Sequence, residues 1–128
     1  MTGGGRPAAD TIVALASGVG RAGIAVIRMS GPGVRFGLET IAGGVPAPRM
    51  AVLRRLRKPG SGELLDEGLV LFFEGPSSFT GEDVGELHVH GGRAIVADVM
   101  DTLLALAGFR PAERGEFCPR GKRYFFVR

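Results

Sequence analysis

The strongest constraint on how this chain can fold is the stretch Glu82 to His90, which alternates with a two-residue period and stops at Gly91-Gly92. In a strand, Asp83, Gly85, Leu87 and Val89 face one way, and Glu82, Val84, Glu86, His88 and His90 face the other. One side is suited to a core. The other carries a carboxylate and both histidines of the chain. The glycine pair ends the strand and lets the backbone approach a neighbour closely. Just upstream, Ser77, Ser78, Thr80 and Gly81 read as a loop, because hydroxyls and glycine offer the backbone local alternatives to ladder bonding. Downstream, Arg93 to Ala107 has helical spacing. Ile95, Val96, Val99, Met100, Leu103, Leu104 and Ala107 share a face, Asp98, Asp101 and Thr102 lie opposite, and Gly108 stands at the C′ position. The start of such a helix presents free N–H groups and a positive dipole end. The stretch therefore predicts a carboxylate, two imidazoles and a helix N-terminus converging at one edge of a sheet.

The remaining chain supplies the partners this strand needs. Thr11 to Ala16 and Ile24 to Met29 are β-branched apolar runs of strand length. Val34 to Ala42 places Val34, Leu38 and Ile41 on one side of a short helix, ended by Gly43-Gly44. Met50 to Arg57 reads as a strand with an exposed basic face, Pro59 to Gly62 as a hairpin turn, and Leu64 to Phe73 as a strand with a possible bulge at Gly68. About five strands and two helices predict an α+β architecture, a mixed sheet with helices packed on it. At 128 residues the chain is one domain, long enough to bury roughly two-thirds of its unfolded surface. Met1 to Ala9 reads as a flexible lead without an apolar signal core, and no apolar run reaches the roughly 18 residues of a membrane span, so the expected location is the cytoplasm. The single cysteine, Cys118, excludes an internal disulfide.

Several local signals carry two readings. Gly18-Val-Gly-Arg-Ala-Gly23 matches a dinucleotide fingerprint, but the next segment is short and β-branched instead of helical, so a tight turn is favoured. Glu86, His88 and His90 form a two-His-one-carboxylate set, yet alternate residues lie about 6.6–7 Å apart along a strand, which is awkward for one ion. A carboxylate accepting N–H groups from a heterocyclic ligand is favoured over metal. Arg28, the one charge in its apolar run, either snorkels to the surface or clamps a carboxylate in a bidentate pair. Arg49, Arg54, Arg55, Arg57 and Lys58 suggest an edge strand blunted by charge ahead of an RNA surface. No phosphate-cradling loop or nucleophile elbow is present, and no residue is assigned a catalytic or metal-binding role.

The motif order goes further. Asp10-Thr-Ile-Val-Ala14, Gly20-Arg-Ala-Gly-Ile24, Ile27-Arg-Met-Ser-Gly31, Ser78-Phe-Thr-Gly-Glu-Asp-Val84, Glu86-Leu87, His90-Gly-Gly92 and Arg114-Gly-Glu-Phe117 resemble, in order and spacing, the N-terminal domain of the tRNA modification GTPase family MnmE, also called TrmE. The resemblance implies a folate-binding and dimerisation domain over residues 10–117, similar in fold to the folate-binding domain of glycine-cleavage aminomethyltransferases. It implies 5-formyl-tetrahydrofolate or a related reduced folate as the one-carbon donor, with the family's folate-binding arginine at Arg28 and glutamate at Glu86. It implies that GTP, magnesium and potassium belong to a GTPase domain absent from this sequence. Partners would be a second copy, the flavoprotein MnmG and tRNA, whose wobble uridine the family modifies. After Phe117 the pattern is lost. The family's folate-contacting lysine falls at Phe126, with Lys122 a nearby substitute, and Cys118 is not the family's essential C-terminal cysteine. Residues 118–128 are thus expected to be a divergent tail, as in a truncated or frame-shifted product. Two alternatives stay open: a small metal-dependent enzyme built on Glu86, His88 and His90, and a folded remnant without activity.

Overall fold

A computed structural model describes residues 10–17, 23–113 and 116. The expected lead before Asp10, the central residues of the glycine-rich turn, Cys118, Lys122, Phe126 and the divergent tail lie outside the described residues.

Six strands form one sheet in the order β3-β4-β5-β2-β1-β6, with β1 at Thr11–Leu15, β2 at Ile24–Ser30, β3 at Val52–Arg57, β4 at Leu64–Phe73, β5 at Val84–His90 and β6 at Phe109–Pro111. All neighbours are antiparallel except β1 and β6, which are parallel, so the sheet is mixed and the fold is α+β as expected. Helices α1 (Val34–Ala42) and α2 (Arg93–Leu104) supply the rest of the regular structure. The alternation of each strand decides which side they cover. Ala25, Ile27 and Met29 of β2, Leu87 and Val89 of β5, and Val70 and Phe72 of β4 are buried with Val34, Leu38 and Ile41 of α1 and Val96, Val99 and Leu103 of α2. Burying one such large aliphatic side chain contributes about 1.5–3 kcal/mol. The opposite face of the sheet has no helix on it among the described residues.

Helix α1 comes close to the sheet because Gly85 lies beneath it. A Cβ there would stand 3.2 Å from both Met29 and Val34. Its last turn closes on Gly43, whose left-handed backbone (φ 77) lets its N–H donate to the Glu39 carbonyl at 3.1 Å.

The structure corrects five sequence expectations. Phe109–Pro111 adds a sixth strand, too short to show alternation. It is held by pairing with β1, and Arg110 donates to Asp10 at 2.8 Å and to both Glu116 oxygens at 2.8 and 2.5 Å. Arg110 in turn holds the Glu116 carboxyl below its ordinary range, more than offsetting the opposing effect of burial. Helix α2 ends at Leu104 with Ala105 as its cap, three residues before the expected Ala107. Gly108 instead sits in the turn to β6, where its carbonyl accepts the Thr11 N–H at 2.8 Å. Thr102, expected on the polar face, is buried, with its hydroxyl satisfied by the Asp98 carbonyl at 2.7 Å. Gly68 is not the bulge. The register shifts between Leu56 and Arg57, and Gly68 marks a close approach, since a Cβ there would lie 2.3 Å from the His88 carbonyl oxygen. In β3, Arg55 and Arg57 are exposed as expected, but Arg54 is half-buried and shares a side with Val52 and the buried Leu56.

Candidate functional site

The register of β2 against β5 sets Arg28 directly opposite Glu86 on the uncovered face. Two apolar strands place them there because Ile27, Met29 and Leu87 take the other side. Arg28 donates from Nε at 2.8 Å and from a terminal nitrogen at 2.7 Å, both to Oε2 of Glu86. The other oxygen, Oε1, meets Nε2 of His88 at 2.9 Å. The side chains are 25% exposed for Arg28, 14% for Glu86 and 28% for His88, so the pair is sheltered but reachable. Charge-assisted hydrogen bonds of this kind are about twice as strong as neutral ones.

A cleft of about 320 Å³ opens over the pair, lined by Arg28, Arg49, Phe73, Phe79, Val84 and Glu86. One wall is the loop between β4 and β5. That loop is pinned by the Gly75 N–H on Asp83 Oδ1 at 3.0 Å, by the Gly31 N–H on the Asp83 carbonyl at 3.0 Å, and by the Ser30 hydroxyl, 2.7 Å from both Thr80 and Glu82. The hydroxyl-rich stretch before β5 therefore shapes the cleft through local side-chain bonds.

The expected convergence at the end of β5 divides into two places. Glu86 and His88 join Arg28 in the middle of the sheet. His90, roughly 13 Å from Glu86 along the strand, turns to Asp66 of β4, with Nδ1 at 2.9 and 3.1 Å from its oxygens and its own N–H on Oδ2 at 2.9 Å. Burial opposes ionisation of Asp66, but the His90 backbone and ring bonds outweigh it and hold the carboxyl below the ordinary carboxylate range. The start of α2 follows His90 at that far end and does not reach the Arg28–Glu86 pair. Glu86, His88 and His90 are thus not gathered, and among the described residues no group of three or more His, Cys, Asp or Glu is placed to hold a metal ion. Sequence reasoning named Arg28 and Glu86 but missed Phe73, Phe79 and above all Arg49, which it grouped with the basic edge strand. The available signal was its position: Arg49 follows Pro46 and Pro48 in a loop, before β3 begins.

Fold and site together define an α+β sheet domain, helix-covered on one face, with an ion-paired, aromatic-walled cleft on the other. The model of the family described as GTP-binding protein TrmE N-terminus matches residues 11–123. The chain belongs to that family. It is 59% identical over 111 residues to the tRNA modification GTPase MnmE of Mesorhizobium japonicum, covering 87% of this chain and 25% of the relative. It is 57% identical over 111 residues to the same-named protein of Azorhizobium caulinodans, covering 87% of this chain and 26% of that one. It is 52% identical over 116 residues to the mitochondrial 5-taurinomethyluridine-[tRNA] synthase subunit GTPB3 of Danio rerio, covering 91% of this chain and 23% of the relative. The chain spans about a quarter of the length of these curated relatives. No helix among the described residues is long and apolar enough to cross a membrane.

Proposed function

We propose that this chain is the reduced-folate-binding, dimerising domain of a tRNA modification GTPase of the MnmE type, and that the folate sits in the cleft over Arg28 and Glu86. The observation that carries the reading is the Glu86 carboxylate, sheltered at the floor of the cleft and held by Arg28 and His88. A carboxylate has about four lone-pair sites, and the contacts from Arg28 and His88 leave one free for an N–H group of a pteridine. Phe73 and Phe79 offer apolar walls to a planar ring. The cleft volume of about 320 Å³ lies at the small end of ligand pockets, a size for one bicyclic ring with the rest of the ligand at the mouth.

The folate, when bound, supplies the one-carbon unit. This chain's residues bind and orient it, and none of them is assigned a bond-making step. Dimerisation is supported by the uncovered sheet face, where Ile24, Leu53 and Leu69 are exposed. GTP hydrolysis, the MnmG partner and tRNA belong in this proposal to a complete, cytoplasmic protein. The test is calorimetric titration of 5-formyl-tetrahydrofolate into the full chain. Saturable binding near one per protomer is expected, and no heat from a folded sample would overturn the reading. Sedimentation velocity across a concentration series tests the dimer.

A further inference from the structure

We propose that Arg49 recognises the negatively charged end of the ligand at the mouth of the cleft, and so divides recognition with Glu86. This rests on the reduced-folate reading above. Arg49 has a left-handed backbone (φ 66), the one such non-glycine residue among those described. That conformation is disfavoured for a long side chain and persists where surrounding structure enforces it, often at ligand-binding positions. Here the Arg49 N–H donates to the Phe72 carbonyl at 2.8 Å, so the residue is tied to the end of β4. Its guanidinium lies 5.5 Å from the centre of the Phe73 ring and donates to the Ser77 carbonyl at 2.5 Å. Backbone, ring and loop thus hold one arginine over the cleft from three sides.

Charge then separates its role from that of its neighbour. Arg28 faces Glu86, Arg35 faces Glu74 and Asp83, and Arg110 faces Asp10 and Glu116. Among the described residues Arg49 has no carboxylate within ion-pair distance, and its acceptor is a neutral carbonyl. The positive charge not matched within the cleft is therefore at its exposed rim. A guanidinium laid along an aromatic ring with one donor engaged keeps further donors in a fixed fork, the geometry that suits a carboxylate. Glu86 at the floor takes an N–H donor of a ring, and Arg49 takes an anion. A reduced folate has both, a donor-bearing ring and a tail ending in carboxylates.

The test is a cycle of two proteins and two ligands in the full chain: wild type and Arg49→Asn, with 5-formyl-tetrahydrofolate and the same folate with its tail carboxylates converted to amides. Asparagine is chosen because it tolerates the left-handed backbone. Wild type is expected to bind the acid about tenfold more tightly than the diamide, and Arg49→Asn to bind the two alike. Equal binding of both by wild type, or a preference that survives in Arg49→Asn, would overturn the proposal. If Arg49→Asn does not fold, the wild-type comparison decides, with Arg49→Lys expected to keep the preference. Glu86→Gln is expected to weaken both ligands and preserve their ratio. Wild type that binds neither ligand would overturn the folate reading and this inference with it. Wild type that binds both equally would overturn this inference alone.

Discussion

On the covered side of β2, Ala25, Ile27 and Met29 have no exposed surface, while on the open side of the same strand Ile24 is 51% exposed and Arg28 keeps a quarter of its side chain in contact with solvent. β5 repeats the contrast, with Leu87 and Val89 buried against helices and Glu86 and His88 paired in the open. One run of backbone serves both sides, because successive strand residues point in opposite directions. The covered side is held by close packing, where a missing methylene is felt. The open side is held by directed polar bonds, where a missing charge is felt. In the proposed reading, stability and recognition are laid on opposite faces of the same strands, and substitutions at consecutive positions should have consequences of different kinds.

That contrast is most directly broken at Leu87. Leu87→Ala should lower unfolding free energy by about 2–5 kcal/mol, the range for emptying a packed aliphatic site, as read by urea denaturation. A loss below about 1 kcal/mol would mean the helices collapse onto the gap and the covered side is not the rigid one. Next door, Glu86→Gln should weaken 5-formyl-tetrahydrofolate by about 1–3 kcal/mol while costing less in stability, since the shape is kept and one charged acceptor is lost. Arg28→Ala should do the same to binding. A variant that loses its fold and its ligand together would show that the pair is a structural brace.

Asp66 tests the contact at the far end of β5 by pH. Its carboxyl is held below the ordinary aspartate range, so it contributes stability that is fully present above that range and lost as pH falls through the lower folded-state pKa. Asp66→Asn should therefore be less stable than wild type at pH 7, with the gap narrowing toward pH 3. A gap constant across that interval would detach the His90 contact from stability. The smallest effect is expected at Leu69, 40% exposed on the open face. Leu69→Ala should change dilute-solution stability by no more than about 0.5 kcal/mol. A larger loss that grows with protein concentration would mean that a second copy covers this face.

Much of this division was legible in the chain. Ile24 to Met29 and Glu82 to His90 announce their two sides by alternation, and Arg28 and Glu86 stand out as charges in apolar strands. What the chain could not show is register. Arg28 meets Glu86 across 58 positions and His90 meets Asp66 across 24, and neither distance leaves a local trace. The same holds for Phe109–Pro111, a strand only because β1 is beside it, and for Thr102, whose hydroxyl is satisfied within its own helix so that it can be buried. Arg49 was hidden for a related reason. Its neighbours in sequence suggest an edge, whereas its neighbours in space are Phe73 and the Ser77 carbonyl.

The arrangement of Glu86 has one more consequence. With one oxygen tethered by two nitrogens of Arg28 and the other by His88, the terminal torsion of this carboxylate is arrested by its own protein. A free glutamate surrenders roughly 1.5–2 kcal/mol of rotamer entropy when immobilised. Here that surrender falls within folding. A ligand arriving at the cleft meets an acceptor already stopped at one angle, like a key meeting a lock whose pins are set, and the cost of freezing the side chain is not charged again at the moment of capture.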